Sequence, residues 1–147
     1  MRRLLVLALA GLVVVPAAVA QENAIRLEKA WVRRAPVMPD ARPGAESTAA
    51  GYVTLRNRGP APDALVAATA DVAERVELHE TRSMSGMLMM ERVDKIALAP
   101  GARVELRPGS YHLMLIGLKR ALTPGQTVTL TLEFERSGRM TTRAEVR

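Results

Sequence analysis

Two histidines and a crowd of methionines are the side chains in this sequence with metal chemistry to offer. His79 and His112 are the whole imidazole supply, and of eight methionines four (Met84, Met87, Met89 and Met90) fall close together. Cysteine is absent, which excludes disulfides, thiolate metal sites, iron–sulfur clusters and cysteine nucleophiles. His112 and Met114 flank Leu113. On a strand they share one face, about 7 Å apart, while Leu113 and Leu115 take the other. His79 has the parity of Glu77 and so lies away from Val76 and Leu78. Both histidines are therefore expected on the less apolar sides of their strands.

A thioether combined with an imidazole suits monovalent copper, a soft ion with little geometric demand. Zinc would call for cysteine, more histidine or a carboxylate. Calcium and magnesium need clustered oxygens, and no such acidic pattern is present. A blue-copper electron carrier needs a cysteine thiolate. Neutral ligands hold copper less tightly than thiolates and release it to a cysteine acceptor. Methionine also fills gaps in cores, and that plainer role is expected for Met38 and Met140, with Met84 and Met87 in a loop or the core. Met89 and Met90 point to opposite faces, and parity alone does not choose between them. Serine hydrolysis is disfavoured because no Gly-x-Ser-x-Gly elbow exists. The competing reading is a secreted β-sandwich binding module without metal, its methionines forming an apolar contact patch.

The elements that must position these residues are short strands. Val104 and Leu106 alternate with Arg103, Glu105 and Arg107, and Val128, Leu130, Leu132 and Phe134 alternate with threonines and Glu133, the two-residue period of a half-buried strand. Tyr52–Leu55, Arg75–Leu78 and Met140–Val146 read similarly, and another strand contains Trp31. Pro100-Gly101, Pro108-Gly109 and Pro124-Gly125 suit the centres of type II turns. Arg58-Gly59-Pro60 and Ser137-Gly138 mark further turns, and Arg34 to Ser47 reads as a long loop. The expectation is a single antiparallel sandwich or barrel.

Met1-Arg2-Arg3, an apolar run from Leu4 to Ala20 and the small residues Ala18 and Ala20 read as a cleaved secretory signal over residues 1–20. The mature domain is then 21–147, beginning at Gln21, with no cysteine to take a lipid and no membrane anchor after cleavage. An N-terminal histidine brace of the copper monooxygenase type is incompatible with Gln21. The full chain has 147 residues, 48% of them hydrophobic, and a formal charge of +6. Aromatics make up 3%, too few to interleave with scattered charges as nucleic-acid binding would need.

His79, ten residues, Met90, twenty-one residues, His112, one residue, Met114 is a spacing that resembles the periplasmic copper chaperones called PCuAC. The surroundings are similar too: Val76 to Thr81, Pro108 to Leu115, Gly117-Leu118-Lys119, Ala49 to Asn57, and the Thr127–Phe134 strand. The resemblance runs from about Trp31 to the end. It implies an all-β, cupredoxin-like Greek-key sandwich or barrel that binds one Cu(I) per chain, as a monomer and without catalytic turnover. The ligands it implies are His79, Met90, His112 and Met114. It further implies periplasmic delivery of copper toward the binuclear copper centre of cytochrome c oxidase, alongside Sco-type thiol proteins. Some relatives have methionine directly after the first histidine, where this chain has Glu80. Others carry a Met/His-rich C-terminal extension that binds a second copper. The present sequence has none, so no second site of that kind is expected.

Overall fold

The computed structural model describes residues 24–36 and 46–147. The expected signal segment 1–20, Gln21, Met38 and most of the proline-rich stretch lie outside the described residues. Among the described residues ten strands form in order: β1 (Ile25–Val32), β2 (Thr48–Asn57), β3 (Asp63–Ala70), β4 (Ala73–Met84), β5 (Met87–Arg92), β6 (Ile96–Leu98), β7 (Arg103–Glu105), β8 (Tyr111–Leu118), β9 (Thr127–Phe134) and β10 (Gly138–Val146). Seven of them run side by side as β4-β8-β2-β1-β10-β9-β3. β3 then pairs back onto β4 at Ala68 and Val76, which closes a barrel and removes its open edges. The β1–β10 pair is parallel. Short β6 and β7 add to the sides of β3 and β2.

The alternation read from β9 is the barrel's inside-out pattern. Val128, Leu130 and Leu132 are fully buried with Phe134 among the core residues, joined there by Leu55, Leu65, Leu78, Leu113 and Leu115. β2 departs from strict alternation, because Gly51 through Leu55 are all buried. Both its faces are covered: Thr54 is buried along with Asn57, and the Asn57 amide donates to the carbonyls of Ala61 and Leu98 at 2.8 and 3.1 Å. The strand expected from Arg103 to Arg107 ends at Glu105. Leu106 is already turning toward Pro108, its N–H bonded to the Val53 carbonyl at 3.0 Å.

That turn sets the start of β8. Gly109 adopts φ +82°, accessible to glycine without a Cβ clash, and the Ser110 N–H closes onto the Arg107 carbonyl at 3.0 Å. The other two Pro-Gly pairs close the same way. From Tyr111 onward β8 then presents Leu113 and Leu115 to the core and His112 and Met114 outward. Leu113→Ala should lower stability by about 2–5 kcal/mol, measured by urea denaturation, because the strand that carries both outward residues is held by that side chain.

Candidate metal centre

β4 and β8 are antiparallel neighbours, with His79 opposite His112, Glu77 opposite Met114 and Leu78 opposite Leu113. Alternation of side chains puts Leu78 and Leu113 inside the barrel. His79, His112, Glu77 and Met114 are left together on its outer face. The two imidazole centroids stand 5.6 Å apart and tilted by 45°, close enough for one metal ion to be shared between them. Although it is on the outer face, His112 is only 4% exposed.

Each ring is held in one tautomer by an acceptor that cannot donate. The Glu77 carboxylate lies 2.9 Å from His79 Nε2, so in the neutral ring Nε2 carries the hydrogen and Nδ1 keeps its lone pair. The Ser110 carbonyl lies 3.2 Å from His112 Nδ1, so there Nδ1 donates and Nε2 keeps the lone pair. His79 Nδ1 is buried with no hydrogen-bond partner, the one such side-chain atom among the described residues. Leaving a buried acceptor unsatisfied costs about 1–3 kcal/mol. A metal ion would satisfy it, in the carboxylate–histidine–metal arrangement common at such sites.

The electrostatics suit a low charge. The Glu77 carboxyl is held below its usual value by the hydrogen bond from His79 above all, with Arg92 and Arg75 assisting against some burial. Arg75 and Arg92 approach its Oε1 at 3.6 and 3.8 Å, and Arg75 is tied in turn to Glu46 at 2.7 Å. Among the described residues no three His, Asp or Glu side chains gather as a metal cage. An ion held here would need methionine sulfur to complete its shell. Burial above all pushes the His112 pKa down, with His79 adding to it against the Ser110 hydrogen bond.

The methionines divide by register. Met114 shares the imidazole face on β8. β5 pairs with β4 so that Arg92 lies opposite His79, Met90 opposite Thr81, and Met89 opposite Arg82. Met90 is thus on the His79 face, two residues along, and Met89 is on the reverse face. Met84 and Met87 were expected in a loop or the core. They are instead a directly opposed strand pair, and both are exposed, because the β4–β5 hairpin runs beyond the barrel and has no core to enter. Met140 is half-buried against the core, as its plainer reading supposed. Glu77 has a role that the sequence shows only as parity: its two-residue spacing from His79 places both on one face.

The tautomers are directly measurable. Nitrogen NMR of the metal-free protein should show His79 as the Nε2–H form and His112 as the Nδ1–H form, and Glu77→Leu should remove the preference at His79. His112 should titrate below the ordinary imidazole value of about 6.5. A lowered histidine leaves the unfolded chain binding the proton first, so its contribution to stability is present above about 6.5 and is lost as pH falls toward the folded value. Denaturation midpoints across that window check the sign.

A family model described as putative lipoprotein LpqE-like matches residues 25–146. Putative lipoprotein Lxx21020 of Leifsonia xyli subsp. xyli (strain CTCB07) is 34% identical over 115 residues, 78% of this chain and 64% of that protein. The chain spans about three-fifths of the length of the curated relatives it matches. Among solved structures, a copper-bound PCuAC domain from PmoF2 superposes with a TM-score of 0.64 at 27% identity, covering 84% of this chain and 92% of that one. The Cu(I) form of DR1885 from Deinococcus radiodurans superposes with a TM-score of 0.61 at 30% identity, covering 87% and 83%. With the family model spanning nearly every described residue and the barrel shared with these domains, the chain belongs to the LpqE-like family, as a member of the PCuAC type.

Proposed function

We propose that this chain is an exported carrier of Cu(I) that binds one ion through His79, His112, Met114 and Met90 and surrenders it to a thiolate acceptor. The observation that carries the reading is the buried, partnerless lone pair of His79 Nδ1 beside the ring of His112. Met114 and Met90 share that face by register. The copper-bound structures named above support the cargo, and the lipoprotein names of the family and of the Leifsonia relative support export. Delivery in the periplasm to the binuclear copper centre of cytochrome c oxidase, with Sco-type thiol proteins as partners, belongs to the same proposal.

The chain's own residues account for both halves of a carrier's task. Capture uses nitrogens already fixed in their metal-ready tautomers by Glu77 and Ser110, so no ring has to reorient. Release is favoured because imidazole and thioether are neutral and bind Cu(I) less strongly than the thiolates of an acceptor. Met90 is the ligand with furthest to travel. It lies one strand and two residues beyond His79, and Met114 lies one strand and two residues on the other side. At about 3.3 Å per residue and 4.8 Å per strand, their backbones on a flat sheet would be about 16 Å apart. Two methionine side chains do not span that, so capture must curl the hairpin over the imidazoles.

Titration with Cu(I) against a competing chelator should give one tight equivalent, with nitrogen and sulfur neighbours in X-ray absorption. Wild-type protein that binds none would leave the metal-free binding module. Met114→Ile, which preserves the strand's apolar packing, should weaken binding by more than the ~10-fold that loss of an outer partner costs. Copper retention should fall on acidification, since protons compete with the metal for imidazole lone pairs while thioethers do not titrate, and the lowered His112 puts its share of that loss below the ordinary imidazole range. Retention unchanged down to pH ~5 would mean that the two histidines are not both ligands.

A further inference from the structure

We propose that Met84, Met87 and Met89 form a second site, made of thioethers alone, for a soft monovalent cation such as Cu(I) at the tip of the β4–β5 hairpin. It uses none of the four residues assigned above and lies on the opposite face of the hairpin from Met90. Ser85 and Gly86 have φ of +50° and +80°, the pattern of the tight two-residue hairpin turn. That turn makes Met84 and Met87 the last opposed pair, with Cβ atoms about 4.5–5.5 Å apart. Met89 follows two residues later on the same face as Met87. It is diagonal to Met84 across the pair, a relation that long side chains bridge. Methionine has three rotatable bonds beyond its backbone, enough to turn three sulfurs inward.

Packing does not explain these residues. Every large hydrophobic side chain that is exposed among the described residues lies in this hairpin, and four of the five are methionine. Met84 and Met87 are 56% and 67% exposed, and Met89 is 43% exposed, so none fills a core gap. A surface meant only for apolar contact would be served equally by leucine, as at Leu88 on the other face. The thioether is what leucine lacks, and its affinity is for soft monovalent ions. Arg82, opposite Met89 on this face, is tied to Glu80 at 2.6 Å, which offsets its repulsion. Glu91, opposite Glu80 in the next pair inward on the same face, adds negative charge behind the site.

Silver(I) is a suitable probe because it is soft, monovalent and redox-inert here. Added to the full chain carrying isotope-labelled methionine methyl groups, a first equivalent should shift Met90 and Met114. A second, weaker equivalent should shift Met84, Met87 and Met89 together. The variant Met84→Leu/Met87→Leu/Met89→Leu keeps the apolar surface and should lose only the second equivalent; Met84→Leu alone should weaken it. A second equivalent that survives the triple variant, or trio methyl groups that stay still throughout, overturns the proposal. If the trio responds while Met90 and Met114 do not, the imidazole-centred site fails and the thioether site stands.

Discussion

A slip of one residue between β4 and β8 would turn His79 into the barrel and push Leu78 into water, since successive side chains on a strand face opposite ways. The observed register avoids this by setting Leu78 against Leu113 on the inside and His79 against His112 on the outside. The hydrophobic pairs thus do two things at once. They close the core, and they force two imidazoles into adjacent positions on the other face. Two histidines separated by more than thirty residues in sequence become neighbours with no loop required to aim them. Rigid strands are a more precise support for a ligand pair than a mobile segment would be.

Charge explains the rest of the site's character. The neutral imidazoles are oriented in opposite tautomers, one by a carboxylate and one by a backbone carbonyl. The Glu77 carboxylate is already shared with His79, Arg75 and Arg92. A divalent hard ion would find too few oxygens, and its charge would be poorly compensated beside two guanidinium groups. A soft monovalent ion asks only for lone pairs. The partnerless Nδ1 of His79 is costly in the metal-free protein, and a cost of that kind is expected where folding has been compromised for binding.

Much of this was legible in the sequence because it follows from period-two alternation. The outward parity of His79, His112 and Met114 needed only their neighbours Leu78, Leu113 and Leu115, and the Pro-Gly turns announced themselves by their residue types. What alternation does not carry is which strands pair. The choice between Met89 and Met90 turns on the β4–β5 register, set by a Ser-Gly turn that looks unremarkable beside the Pro-Gly pairs. β3 was missed because its Ala-rich run, Ala64, Ala67, Ala68 and Ala70, has weak strand propensity and becomes a strand through its partners β9 and β6. Glu77 was in plain view, but its role depends on where its carboxylate ends up, a matter of side-chain geometry.

The hairpin marks the boundary between what the fold needs and what it tolerates. β4 pairs with β3 at Val76 and with β8 as far as Glu80, and contributes to the core there; beyond Glu80 its strand partner is β5. The segment therefore adds little apolar burial, and its side chains are free of packing constraints. Natural surfaces usually dilute exposed apolar residues, since a concentrated patch invites association. Among the described residues the large exposed apolar side chains are concentrated in this hairpin, which has no core to serve. They are mostly the residue whose sulfur binds soft metals, so the hairpin is where binding chemistry can vary without unfolding the barrel.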